Sequence, residues 1–297
     1  MKKLIIILGV IGVSLSAPII RISTAPSMVL VLYRVAFATV LLLPVILIRN
    51  RSELKTMNRR ERLLCLLSGL FLGLHFTCYF EALRYTSIAS AVALVDTEVF
   101  FVAFMLLTIY REKIAGSAWL GILVTFVGSV IIALSDAGGG ENELLGDLLA
   151  LSGAVCMACY TMIGRSCRQR ITTVSYTFLV YFSAAITVLA VLLCSKKPVF
   201  GYEPINWLTT FGMAVFCTLL GHSVFSWGLK YESAAFIATV KLLEPVFASI
   251  LGVILFREIP SVPVMIGACT VILGVFIYTH FSEKVRSDAS AVKASDR

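Results

Sequence analysis

The sequence predicts an all-α membrane protein in which ten transmembrane helices form two inverted five-helix repeats. Two observations carry this prediction. The 297 residues are 59% hydrophobic and only 14% charged, whereas a soluble domain carries about 25% charged residues. The stretch that begins at residue 82 also reappears from residue 228 onward, at a constant shift of 146 positions. Because no packing of this chain hides so much apolar surface from water, its solvent is lipid.

The internal repeat rests on residues that chance does not readily match. Apolar positions coincide easily in a membrane chain, but Gly, Arg and Glu in one register indicate a duplication. The matched pairs are Leu83 and Leu229, Tyr85 and Tyr231, Ser87 and Ser233, Glu98 and Glu244, Phe101 and Phe247, Arg111 and Arg257, Glu112 and Glu258, Gly121 and Gly267, and Gly128 and Gly274.

Ten apolar runs are long enough to cross a bilayer, which takes about 20 residues per helix. They lie at 4–20, 28–48, 63–83, 87–110, 116–135, 146–163, 173–194, 207–229, 233–256 and 261–281. We therefore divide the chain into a first repeat at 1–135, an extracytoplasmic loop at 136–145, a second repeat at 146–281 and a cytoplasmic tail at 282–297.

The first apolar run is open to a second interpretation. Lys2 and Lys3 precede it, and the segment 14–17 resembles a signal-peptide cleavage site. Cleavage would leave nine helices and break the two-copy symmetry. We therefore expect the run to be retained as the first transmembrane helix.

The distribution of positive charge predicts the orientation. With the N-terminus inside, most lysines and arginines fall in cytoplasmic segments. The opposite side holds only Arg21, Arg84, Lys196, Lys197 and Arg257. This bias favours both termini in the cytoplasm. Because five helices are an odd number, the second copy enters the membrane upside down, as in many secondary transporters.

Four charged residues lie near the centres of the fourth and ninth helices: Glu98, Asp96, Glu244 and Lys241. On insertion scales such residues cost about 2.5–3.5 kcal/mol each, so they usually have a function. The alternative is structural pairing. Lys241 is three residues from Glu244 on one helix face, and it could also meet Asp96 across the symmetry axis. Asp96 and Glu98, two residues apart, point to different sides.

Pro245 predicts a kink beside Glu244. It cannot donate a hydrogen bond to the carbonyl of Lys241, four residues back. A free carbonyl at this depth is tolerated only against protein or a wet cavity. Val99 occupies the equivalent position in the first copy, so we expect the kink to be asymmetric.

Two histidines and one arginine complete the candidate site. His75 and His222 lie at nearly equivalent positions, and each shares a helix face with a hydroxyl, of Tyr79 and Ser226 respectively. Such histidines either bridge helices or line a cavity, where they titrate near neutral pH. Arg34 either extends to the membrane surface or contacts a substrate carboxylate at the cavity mouth.

Several classes of function are disfavoured. No nucleotide-binding loop, metal-ligand cluster or nucleophile–base arrangement appears, so we expect no cofactor, no bound metal and no enzymatic activity. The net charge of +8 does not indicate a nucleic-acid partner, because the positive residues sit in short loops between apolar runs. Cys156 and Cys159 share a helix face but lack further metal ligands, and they are typical packing residues.

The chain resembles the EamA-type branch of the drug/metabolite transporter superfamily over nearly its whole length. The resemblance rests in the first copy on His75-Phe76, the run 82–87, Arg111-Glu112, Gly121 and Gly128. In the second copy it rests on Gly221-His222, the run 228–231, Leu243-Glu244-Pro245, Arg257-Glu258, Gly267 and Gly274. The first copy departs from the pattern at Val99, where a proline is usual, and at Asp96.

The resemblance implies a ten-helix transporter in a bacterial inner membrane that exports or exchanges small metabolites, amino acids or drugs. We expect alternating access around a cavity lined by the third, fourth, eighth and ninth helices, with Glu98 and Glu244 contacting cationic substrate groups or protons. Two alternatives remain: a facilitator without ion coupling, and a membrane enzyme or assembly protein on the same scaffold. The expected partners are a small-molecule substrate, the lipid bilayer and a proton or other coupling ion.

Overall fold

The structure is a computed structural model of the 297-residue chain. It describes residues 1–86, 88–112, 114–134, 142–196, 198–257 and 260–295. Within these ranges the side chains at 17, 21, 88–90 and 282–295 are left undescribed. Ser87, Glu258 and most of the predicted 136–145 loop therefore lie outside the described residues.

Ten helices of the described chain are long and apolar enough to cross a membrane, which confirms the predicted number. They are α1 (Lys2–Ser14 and Ser16–Ile22), α2 (Ser27–Val45, continuing as a π-helix over Ile46–Asn50), α3 (Arg59–Ala82), α4 (Ile88–Asp96 and Glu98–Thr108), α5 (Gly116–Leu134), α6 (Glu143–Cys167), α7 (Thr173–Cys194), α8 (Ile205–Met213, a π-helix over Ala214–His222, and Ser223–Gly228), α9 (Ala234–Lys241 and Glu244–Phe256) and α10 (Val262–Ser295). A short helix, Arg51–Thr56, joins α2 to α3. The last helix continues to Ser295, beyond the predicted boundary at 281.

Helices α4 and α9 are both interrupted at midlength, at positions related by the repeat. Thr97 separates the halves of α4 and bonds to the Leu94 carbonyl, three residues back. Leu242 and Leu243 separate the halves of α9 with the same three-residue spacing. This spacing is that of a 3₁₀ turn, which is tighter than an α-helix. The expectation of an asymmetric kink is wrong, because α4 breaks without a proline.

The repeated glycines pack α5 against α10. A Cβ on Gly128 would lie 2.6 Å from the Val271 nitrogen, and one on Gly274 would lie 2.3 Å from the Thr125 nitrogen. A Cβ on Gly121 would likewise lie 2.6 Å from the Tyr278 nitrogen of α10. Only glycine permits two helix backbones to come this close. The glycine register detected in the sequence is therefore the contact between the last helices of the two repeats.

The first repeat meets the second again where α3 packs on α6 and α7. A Cβ on Gly69 would lie 2.3 Å from the Val180 carbonyl of α7, and one on Gly73 would lie 2.7 Å from Thr187 Cβ. The small residues of α3 thus allow it to pack closely on α7. The interior of the protein is thus the boundary between the two repeats, and the charged residues lie there.

The duplicated Arg-Glu pair has a backbone function at the ends of α4 and α9. Arg111 and Arg257 adopt left-handed backbone conformations, with φ of 53° and 57°. A left-handed residue ends a helix by turning its last carbonyls toward new donors. Accordingly, the Glu112 amide bonds to the Leu106 carbonyl at 2.9 Å. The repeat therefore conserves the way in which each of these helices terminates.

Candidate functional site

The centre of the protein holds an ion pair between the two repeats. Lys241 Nζ lies 3.0 Å from Glu98 Oε1 and 3.2 Å from Glu98 Oε2. Thr161 of α6 donates a hydrogen bond to Glu98 Oε1 at 2.9 Å. Glu98 is buried, and the Lys241 ammonium lies over the ring of Phe225. The Glu98 carboxylate is thus neutralised and held entirely by groups of the second repeat.

Asp96 faces a different direction from Glu98, in line with their two-residue separation. The Ser129 hydroxyl of α5 donates a hydrogen bond to the Asp96 carboxylate. Lys241 pairs with Glu98 rather than with Asp96 or with Glu244. Both pairings considered from the sequence are therefore wrong, although a structural ion pair is present.

Glu244 has the opposite environment from its repeat partner Glu98. Its side chain is exposed, and no hydrogen bond or ion pair joins its carboxylate to another described side chain. Yet Arg34, Lys241 and Glu98 all lie close enough to act on it electrostatically. Glu244 is therefore an accessible carboxylate within electrostatic range of charges from both repeats.

Arg34 does not extend to the membrane surface. Its residue is only 3% exposed, its Nε donates a hydrogen bond to Thr218 Oγ1 at 3.2 Å, and its guanidinium lies 4.8 Å from the centre of the Phe76 ring. Of the two alternatives drawn from the sequence, extension of its charge to the membrane surface is therefore wrong. Its charge faces the interior, where Glu244 is a carboxylate within electrostatic range.

The two histidines lie on either side of Phe76. Its ring centre is 5.3 Å from that of His75 and 5.7 Å from that of His222. His75 Nδ1 donates to the Gly153 carbonyl at 3.0 Å, because a carbonyl only accepts, and Tyr79 stacks on the His75 ring at 6.2 Å. His222 Nδ1 is buried and has no hydrogen-bond partner among the described atoms. The rings of His75, His222, Phe76 and Tyr79 thus form one aromatic group, and Phe76 is the member that contacts Arg34.

The eight residues selected from the sequence lie in one electrostatic neighbourhood. Each acts on, or is acted on by, at least one other member across α2, α3, α4, α8 and α9. The members are Arg34, His75, Tyr79, Asp96, Glu98, His222, Lys241 and Glu244. The cluster contains both signs of charge, so it can contact a molecule that carries both.

Several polar partners were not anticipated from the sequence. Thr161 and Ser129 hold the two carboxylates of α4, and Thr218 holds Arg34. Hydroxyl residues in apolar helices commonly bond to their own backbone, as Thr125 does to the Gly121 carbonyl. Their sequence pattern therefore does not distinguish those that reach a neighbouring helix.

The charged pairs nearer the membrane surfaces are separate from the cluster. Arg84 bonds to Glu81 at 2.8 Å, and this hydrogen bond raises the pKa of the Arg84 guanidinium. Arg165 bonds to Glu112 at 2.5 Å, next to a cavity of about 610 Å³ at one end of the helices. Among the described residues no group of three or more His, Cys, Asp or Glu could hold a metal ion.

Comparison with known proteins places the chain among transporters. A model of the EamA-like transporter family matches residues 2–134 and 144–279. An uncharacterized transporter of Clostridium kluyveri is 29% identical over 71% of this chain and 69% of its own. The pseudopaline exporter CntI of Pseudomonas aeruginosa is 24% identical over 84% and 85%, respectively.

A solved crystal structure shares the fold at 18% identity, with a TM-score of 0.81 over 96% of this chain and 98% of that one. The ten apolar helices and the likeness to transporters make this chain a multi-pass membrane protein. Its two matched segments are the two repeats, each with five of the ten helices.

Proposed function

We propose, from the premise that this chain belongs to the EamA-like transporter family, that it exports small metabolites, amino acids or drugs by alternating access. The observation that carries the proposal is the accessible carboxylate of Glu244 at the interruption of α9, which pairs with none of the described side chains. Interrupted helices near the boundary of inverted repeats form the substrate sites of many secondary transporters.

The chemistry of the cluster favours a substrate with an ammonium or other cationic group. Glu244 would bind that group, because Glu98 is already neutralised by Lys241. Arg34 would bind an anionic group such as a carboxylate on the same molecule. Phe76, His75 and Tyr79 would contact its apolar part. Together these residues suit small zwitterions.

The direction, location and coupling belong to the same proposal. Export is favoured by the likeness to an exporter. The distribution of positive residues favours both termini in the cytoplasm, and the likeness to bacterial transporters favours a bacterial inner membrane. Protons are the proposed coupling ion, because Glu244 is a carboxylate that can exchange a proton for a cationic substrate. An uncoupled facilitator or exchanger is the alternative, and flux that ignores imposed pH and sodium gradients would favour it.

The test begins with a resistance panel and ends with purified protein. Cells that express the chain are challenged with toxic metabolites, amino-acid analogues and cationic dyes. Each hit is then measured in proteoliposomes, with Glu244→Gln beside the surface control Glu81→Gln. We expect transport by Glu244→Gln to fall at least about tenfold while the control stays near wild type. Wild-type transport by a folded Glu244→Gln variant would contradict the proposed site.

A further inference from the structure

We propose that Lys241 switches partners, from Glu98 to Glu244, when α4 and α9 move relative to each other. The ammonium of Lys241 then displaces the cationic group of the substrate from Glu244. This inference rests on the proposed function, since it assigns a release mechanism to the same site. Lys241 is in this sense a tethered competitor of the substrate.

The bond that Lys241 now makes joins α4 to α9, so a movement of these two helices apart must stretch it. Glu98 lies in the first matched segment, and both of its partners, Lys241 and Thr161, lie in the second. Alternating access in inverted-repeat transporters is largely a rigid-body movement of one repeat or helix bundle against another. A movement that separates α4 from α9 breaks the 3.0 Å bond between Lys241 and Glu98. Lys241 therefore loses its partner in the opposite state.

The bond that Lys241 would make instead lies within one helix. Leu242 and Leu243, which separate Lys241 from Glu244, form the three-residue hydrogen bonds of a 3₁₀ turn. In such a turn the side chains at positions i and i+3 are eclipsed. Lys241 and Glu244 thus project on one side of α9, and no rigid-body movement separates them. The flexible four-carbon stem of lysine allows it to reach either carboxylate.

The other charges around Lys241 leave Glu244 as its remaining acceptor. Arg34, His75 and His222 act electrostatically on the same centre, and they are cationic or neutral. Asp96 is held by Ser129 and, like Glu98, belongs to the first repeat. An ammonium left unpaired at this depth is costly. Once it leaves Glu98, Lys241 therefore moves to Glu244.

The switch exists in only one of the two copies. The position equivalent to Lys241 in the first repeat is Val95, so Glu98 has no lysine on its own helix. The first repeat thus supplies the resting acceptor, Glu98, and the second supplies both the competitor, Lys241, and the carboxylate for which it competes, Glu244. The two repeats share a fold, but only the second carries the lysine that can switch partners.

A double-mutant cycle tests the switch without knowledge of the substrate. Thermal unfolding in detergent is measured for wild type, Glu98→Gln, Glu244→Gln and the double variant. Glu244→Gln should move the Tm little in wild type, because none of the described side chains pairs with the carboxylate there. In the Glu98→Gln background, where Lys241 pairs with Glu244, it should lower the Tm by a further ~3 °C.

Two further measurements keep the test decisive. When Asp96→Asn takes the place of Glu98→Gln in the cycle, Glu244→Gln should cause no extra fall in Tm, because Asp96 does not hold Lys241. If Glu98→Gln yields no folded protein, Glu98→Asp, which withdraws the carboxylate by one methylene, should show a smaller shift of the same sign. Additive Tm changes in the cycle overturn the switch, even where Glu244→Gln abolishes transport. A non-additive cycle with wild-type transport by Glu244→Gln would instead overturn the proposed function.

Discussion

Gly274→Ala should destabilise the contact between α5 and α10 severely for a single methyl group. The added Cβ would lie 2.3 Å from both the nitrogen and the Oγ1 of Thr125, whereas ordinary contacts begin at 3.4 Å. The backbone nitrogen cannot rotate away, so the helices must separate by about 1 Å. Overpacking lowers stability by about 1–3 kcal/mol. Because the clash here is with a backbone atom, we expect the free energy of unfolding to fall by about 3 kcal/mol. At this chain length that corresponds to a Tm about 6 °C lower.

The assay is thermal unfolding of purified protein in detergent, with Gly212→Ala as the matched control. Gly212 also lies within a helix, α8, but a Cβ there meets nothing within 4 Å. Alanine is favoured over glycine in a helix by about 0.5–1 kcal/mol, so the control should be neutral or slightly stabilising. Equal Tm values for the two variants would refute the close contact between α5 and α10.

Three further predictions concern the site. Lys241→Met should cost about 3–5 kcal/mol, because it leaves the Glu98 carboxylate buried and unpaired, whereas adding Glu98→Gln should recover most of that loss; thermal unfolding of both variants decides. Pro245→Ala should keep transport within about twofold of wild type, because α4 breaks at the equivalent place with Val99, and a larger loss would show that the proline itself is required. Arg34→Met should weaken transport of zwitterions by about tenfold or more and spare analogues that lack the carboxylate, which competition in proteoliposomes measures; an equal loss for both would contradict a carboxylate contact.

The sequence was sufficient for the coarse architecture. Ten apolar runs, the repeat and the EamA resemblance are confirmed by the helices and by the matched family. These features depend on the composition and spacing of apolar helices. A bilayer requires both directly, because every backbone polar group within it must be paired inside a helix. The shared glycines at Gly121 and Gly128 carried information about helix contacts because no other residue permits that approach.

The pairing of charges could not be read in the same way. Helical periodicity identifies neighbours on one helix, so it suggested Lys241 with Glu244. The observed partner, Glu98, is 143 residues away and is chosen by the packing of α4 on α9. The interruption of α4 was not predicted because the expectation of a break relied on proline. The break at Thr97 forms although α4 has no proline there. Hydropathy likewise could not show that Arg34 faces the interior.

The glycine contact between α5 and α10 has a consequence for the origin of the molecule. Gly128 meets the backbone of α10 as Gly274 meets that of α5, so each surface is complementary to an inverted copy of itself. One ancestral unit of five helices, inserted into the membrane in both orientations, would have possessed this interface before any gene fusion. Fusion then freed each half to mutate alone, and the divergence of Val95 from Lys241 records that freedom.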